Sequence, residues 1–136
     1  MGTKIFVNLP VESLDRAVGF FTKLGYTFNP QFTDANATCM VISEDIYAML
    51  LVKPYFKGFI KKEVADATKT TQVIIALTVD SRAAVDSLLE KALAAGAKES
   101  KEKMDQGFMY QRSFEDLDGH QWESFWMDPA AVQPQQ

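Results

Sequence analysis

Two stretches of this chain repeat one another, and that repetition limits the available folds more than any other feature. Leu9-Pro10-Val11-Glu12-Ser13 lies over Leu77-Thr78-Val79-Asp80-Ser81 at an offset of 68 residues, and internal self-similarity points to a duplicated structural unit. Each copy joins a β-rich run to an amphipathic helix. In the first, residues 5–9 form the run and Ser13 or Asp15 suits a helix cap. Leu14, Ala17, Val18, Phe21 and Leu24 keep helical spacing up to a stop at Gly25. Strands are expected at 27–29, 38–42 and 46–51, with Glu44-Asp45 turning between the last two. In the second copy, 73–79 is the run and Asp80 or Ser81 the cap. Val85, Leu88, Leu89, Ala92 and Leu93 form the helical stripe, and Gly96 ends it. A short strand at 97–99 and two more at 108–114 and 120–126 follow, the latter pair joined by the four-residue turn Asp116-Leu117-Asp118-Gly119. Both copies therefore read β-α-β-β-β. Near their ends Asp45-Ile46-Tyr47-Ala48-Met49 falls over Gly119-His120-Gln121-Trp122-Glu123, at an offset of 74.

The segment 53–71, with Pro54, Gly58 and five lysines but no period, reads as a connector with at most one irregular helical turn. The expected organisation is one domain over 1–127, built from modules 4–52 and 72–127, followed by a tail at 128–136 whose residues 129–136 should fray. A chain of 136 residues, 47% hydrophobic and 24% charged, is ordinary for a folded domain. Its net charge of −4 is spread along the chain and provides no basic stripe, so nucleic acid is not an expected partner. Apolar runs stop well short of the roughly 20 residues that span a bilayer. Neither a membrane span nor a signal peptide is expected, and Phe6 leaves the myristoylation pattern after Met1-Gly2 incomplete. A single cysteine, Cys39, fits a reducing cytoplasm, the expected location.

The opening Asn8-Leu9-Pro10-Val11-Glu12-Ser13-Leu14-Asp15-Arg16-Ala17-Val18-Gly19-Phe20-Phe21 resembles the strand, step and "DL-x-RS-x-x-FY" helix of the glyoxalase/bleomycin-resistance/extradiol dioxygenase (vicinal oxygen chelate) superfamily. The closing Phe114-Glu115-Asp116-Leu117-Asp118-Gly119-His120-Gln121-Trp122-Glu123 is similar to its "F-x-DPDG-x-x-x-E" hairpin, with Leu117 in place of proline. The resemblance covers about residues 4 to 127. It implies an α+β fold in which two βαβββ modules form a curved mixed sheet, a cup with helices outside and a pocket within. It also implies homodimers, to which exposed sheet edges lend themselves.

Metal-dependent members place His, Glu or Gln at one position in the first and last strand of each module. By the resemblance and the two offsets, those positions here are Phe6, Met49, Ile74 and Glu123. One carboxylate cannot hold a catalytic divalent ion, which generally needs about three protein donors, so neither metal nor other cofactor is expected. Shifting any strand by one residue offers no further ligand. If the 116–119 turn is symmetrical, Arg112 stands opposite Glu123, and its guanidinium would replace the missing metal charge.

Strand parity assigns the pocket lining to Phe6, Asn8, Tyr47, Met49, Ile74, Ala76, Tyr110, Gln121 and Phe125, with Arg112 and Glu123 as anchors. This suits a flat or hydrophobic organic ligand. Tyr55, Phe56 and Phe59 with Lys57, Lys61 and Lys62 read as a lid over the pocket mouth or as a plain solvated connector. His120 reads as a turn-flanking residue and Cys39 as a small core residue. The function expected is metal-independent binding of a small organic molecule, as in the bleomycin-resistance branch. The alternatives are a divalent-metal-dependent lyase or isomerase of glyoxalase type, and metal-free catalysis with Glu123 as base.

Overall fold

Strand β1 (Ile5–Val11) carries Leu9 and Val11 into the core and runs directly into α1 (Leu14–Lys23). The computed structural model describes residues 2–131, and the chain divides into two compact units, Met1–Asp66 and Ala67–Gln136. Ser13, not Asp15, is the N-cap of α1, its Oγ accepting from the Arg16 N–H at 3.2 Å. Ala17, Phe20 and Phe21 are the buried face of the helix, and Gly25 leaves it at φ 105°, a conformation costly for any residue with a Cβ. Strands β2 (Thr27–Asn29), β3 (Ala37–Val41) and β4 (Ile46–Val52) complete the module. The sheet order is β1-β4-β3-β2, with β1 parallel to β4 and the other pairs antiparallel. Between β2 and β3 a 3₁₀ turn at Pro30–Phe32 is capped by Asn29, whose Oδ1 accepts from the Gln31 N–H at 2.9 Å.

The second unit repeats the plan. Strand β5 (Ile74–Thr78) leads to helix α3 (Arg82–Ala94), then β6 (Lys98–Asp105), β7 (Met109–Glu115) and β8 (Gln121–Met127) follow in the order β5-β8-β7-β6. Ser81, not Asp80, caps α3 by accepting from the Ala84 N–H at 3.0 Å, and Val85, Leu89 and Ala92 are its buried residues. The protein is thus α+β, two βαβββ modules with one four-stranded mixed sheet each. A one-turn helix α2 (Lys53–Lys57) opens the connector, and none of the described helices is long and apolar enough to cross a membrane.

Three expectations need correction. β6 covers eight residues instead of three, because Lys98–Asp105 is drawn into the sheet by pairing with β7, with register shifts between Glu99 and Lys101 and between Lys101 and Met104. The β7–β8 turn is one residue shorter than expected. Asp116 N–H donates to His120 O at 3.0 Å, so Asp116 and His120 close the hairpin around Leu117-Asp118-Gly119, and Glu115 pairs with Gln121. In the tail, Pro129–Ala131 forms a 3₁₀ turn, while 132–136 lie outside the described residues.

Candidate functional site

In the first unit, the sheet face opposite α1 carries the side chains that share parity with Phe6. Register aligns Phe6 with Tyr47 and Asn8 with Met49 across the parallel pair. Phe6 and Tyr47 stack at 4.7 Å with their planes 12° apart, and the Tyr47 hydroxyl donates to Glu44 O at 2.7 Å. Beside them a cleft of about 460 Å³ has Asn8, Met49, Leu51 and Ala37 as its floor. Gln31, Phe32, Thr33 and Asp34 form one wall, and Tyr55 and Phe59 the other.

Each wall is built locally. Thr33 Oγ1 donates to Asn29 O at 2.8 Å and shares a 2.9 Å hydrogen bond with Thr38 Oγ1. Asp34 Oδ1 accepts the backbone N–H groups of Asn36 and Ala37 at 2.8 and 3.1 Å, turning the chain back into β3. On the other side Tyr55 and Phe59 meet edge to face at 5.1 Å, and Phe59 keeps 66% of its surface exposed. The connector aromatics Tyr55 and Phe59 therefore edge a cleft, whereas Lys57 Nζ turns to Lys62 O. No periodicity in the sequence marks residues 31–34 as part of a site. The turn-forming cluster Asn29-Pro30 and Asp34 was the one signal available. Cys39 is fully buried and burial pushes its thiol pKa up, which suits a core residue.

In the second unit the expected site residues divide between two faces. Ile74 aligns with Gln121, and Ala76 with Glu123. Ser113 stands opposite Glu123, and Gln111 opposite Phe125. These share the open face. Tyr110 and Arg112 do not: the shorter turn slips β7 by one residue against β8, and a slip of one moves every side chain to the other face. The structure therefore contradicts the Arg112–Glu123 pair. Arg112, with 12% of its side chain exposed, forks onto Glu99 at 2.9 and 2.9 Å and reaches Asp86 of α3 at 2.9 Å. The Tyr110 hydroxyl donates to Asp86 at 2.7 Å. Glu123 is met instead by Lys101 Nζ at 3.2 Å and by the Ser113 hydroxyl at 3.4 Å. Gln121 donates to Ser100 Oγ. His120 is half-buried, its backbone N–H held by Asp116 Oδ1 at 3.0 Å.

The four positions that the resemblance marked for a metal do not present a donor set that fits one. Phe6, Met49 and Ile74 supply neither oxygen nor nitrogen, and Glu123 already has a lysine partner. Among the described residues no three of His, Cys, Asp and Glu come together as ligands.

The charged residues between α3 and its sheet give an acid-stability prediction. The hydrogen bond from Arg82 holds the Asp105 carboxyl at a pKa of about 2, helped by the Gly107 N–H. Glu99 is lowered by Arg112, and Asp86 by the Tyr110 hydroxyl and then by Arg112. A carboxylate whose folded pKa lies below its unfolded value contributes stability above the unfolded value and loses it as pH falls through the folded one. The stabilising contribution should therefore fade between about pH 4 and pH 2. Arg82→Gln should lower stability at pH 7 and flatten its fall between about pH 4 and pH 2, so urea unfolding followed by far-ultraviolet circular dichroism should show the loss at pH 7 and almost none near pH 2.

Comparison with known proteins gives the same architecture. A protein from S. aureus known as hypothetical protein SA1046 superposes with a TM-score of 0.78 at 26% identity, over 93% of this chain and 95% of that one. A glyoxalase/bleomycin resistance protein/dioxygenase family enzyme from Burkholderia phytofirmans gives 0.76 at 14% identity, over 93% and 99%. The fosfomycin resistance protein FosX from Listeria monocytogenes gives 0.67 at 17%, over 93% of each. Among curated proteins nothing matches. The paired βαβββ modules are the fold shared with these solved structures. Residues 3–43 match the family model of the bleomycin resistance protein-like N-terminal region.

Proposed function

We propose that the chain binds a small organic molecule in the cleft of its first unit, and does so without a metal ion. The observation that carries this reading is the cleft itself, about 460 Å³ with an apolar floor of Met49 and Leu51, an aromatic wall of Tyr55 and Phe59, and the amides of Asn8 and Gln31 at hand. Volumes of a few hundred Å³ with a few polar groups among apolar ones are typical of sites for drug-sized molecules. The donor set at the superfamily's metal positions supports the metal-free part, and the match to the bleomycin resistance protein-like model supports sequestration over turnover.

The test is a thermal-shift series on the intact chain with nickel, zinc, manganese and iron(II), beside a panel of planar aromatic heterocycles. Melting should not move with the metals and should rise with a subset of the heterocycles. Tyr55→Ala, at an exposed wall position, should weaken such a ligand about tenfold with no loss of folding. Stoichiometric metal found by elemental analysis, with a matching rise in melting temperature, would overturn the reading. A homodimer belongs to the same proposal, and sedimentation equilibrium should give a mass of twice 15.2 kDa.

A further inference from the structure

A second cavity opens on the other face of the first unit's sheet, the face that carries α1. Register aligns Phe28 with Met40, Thr38 with Leu50 and Val52 with Val11, and these partners belong to the core under the helix. Ala17, Phe20 and Phe21 close that core, whereas at the start of α1 Leu14 and Val18 face a volume of about 600 Å³. Phe28 and Val52 line the same volume, and all four apolar side chains are only half-buried. Thr38, fully buried against it, has Thr33 as a hydroxyl partner at 2.9 Å without recourse to water.

The rim carries charge. Asp15, in the first turn of α1, and Asp34, in the loop before β3, both line the cavity and both are exposed. Asp34 Oδ1 takes the backbone N–H groups of Asn36 and Ala37, but Oδ2 has no partner among the described residues, and neither has the Asp15 carboxylate. No lysine or arginine pairs with either of them among the described residues. A helix start contributes only roughly half a positive charge, so two carboxylates leave the rim negative.

We propose that this cavity binds a hydrophobic primary amine, its ammonium group at the Asp15 and Asp34 carboxylates and its hydrocarbon part against Val18, Phe28 and Val52. Charge and lining select the class together. A carboxylate or phosphate would meet two like charges, and a neutral hydrocarbon would strip water from the carboxylates without replacing it. An ammonium brings three donors on one atom, and the hydrocarbon behind it takes apolar area out of water. The site lies on the sheet face opposite the cleft of Asn8 and Met49 and does not rest on that cleft's being occupied.

A nitrogen-15 correlation spectrum of the whole chain, titrated in parallel with 2-phenylethylamine, 2-phenylethanol and 3-phenylpropanoate, tests this. The three probes share a ring on a short chain and differ in charge. Thr33 and Asp34 line both volumes, so the reporters are Val18, Phe28 and Val52, which line this one and not the cleft. The amine should shift their amides, the alcohol should bind at least about tenfold more weakly, and the acid should leave them in place. Asp15→Asn and Asp34→Asn remove charge but keep an oxygen acceptor, so the turn at Asp34 persists. Each should weaken the amine about three- to tenfold and leave the alcohol unchanged, a split that a general loss of structure would not give. The proposal is overturned if the three compounds bind alike, if none moves these amides, if both variants hold the amine as the parent does, or if the shifts fall on Asn8, Met49 and Tyr55 instead.

Discussion

Asp116→Ala is expected to destabilise the protein by about 3–5 kcal/mol, one of the largest losses available to a single substitution here. Asp116 is buried at the mouth of the β7–β8 hairpin. Its Oδ1 accepts the backbone N–H groups of Asp118 and His120 at 2.9 and 3.0 Å, and its Oδ2 accepts the Trp122 indole N–H at 2.9 Å. Trp122 keeps only 2% of its surface exposed and stacks in parallel with Phe114 at 6.4 Å. Its N–H cannot turn to water when the carboxylate is removed, and a buried donor left unmatched costs about 1–3 kcal/mol. The two turn amides lose the acceptor that fixes a three-residue loop, and with it the register of the last two strands. Asp116→Asn separates these effects. Its carbonyl oxygen can still take the turn amides, but its NH₂ then faces the indole N–H donor to donor, so the loss should be about 1–2 kcal/mol. Urea unfolding with an unchanged slope checks both values, and near-ultraviolet circular dichroism reports the release of Trp122.

That turn is also where the sequence ceased to be legible. Element order followed from physical regularities that act within a few residues. Ser13 and Ser81 cap because a hydroxyl can meet the free N–H groups of a first turn, and Gly25 and Gly96 leave helices at φ 105° and 109°. The open-face assignments of Phe6, Asn8, Tyr47, Met49, Ile74, Ala76, Gln121 and Phe125 depended only on alternation within strands, and register aligns them accordingly. The placement of Tyr110 and Arg112 depended in addition on loop length, because a hairpin closed by Asp116 and His120 shifts β7 by one against β8. Nothing in Asp116-Leu117-Asp118-Gly119 distinguishes a symmetrical four-residue turn from a three-residue one until the side chain of Asp116 is known to fold back. β6 extends beyond what its sequence suggests for a different reason. Lys98–Asp105 alternates charges without an apolar face, so its extended form is imposed by pairing with β7 and leaves no periodic trace. The wall at Gln31–Asp34 is a loop held by side-chain caps, which periodicity cannot see.

Gly119→Ala should prove comparably damaging, about 3–5 kcal/mol, and for a reason that combines backbone conformation with packing. Gly119 sits at φ 92°, where an L residue is strained by roughly 1–2 kcal/mol. A Cβ there would lie 2.7 Å from both the carbonyl carbon and the oxygen of Ala67, and 2.8 Å from the nitrogen of Thr68. These are backbone atoms, so no side chain can swing aside, and either the hairpin or the chain before β5 must move. Gly25→Ala is the control. It has nearly the same strain at φ 105° but nothing within 4 Å of the added carbon, so it should cost only the conformational share, about 1–2 kcal/mol. Gly96→Ala falls between them, because its 3.1 Å neighbour is the Cδ2 tip of Leu117, which can rotate away. Parallel urea titrations of the three variants should therefore rank Gly119 well above Gly96 and Gly96 slightly above Gly25. If Gly119→Ala lost no more stability than Gly25→Ala, the approach of the 67–68 peptide to the turn would have to be abandoned, and the glycine's role reduced to its backbone angle alone.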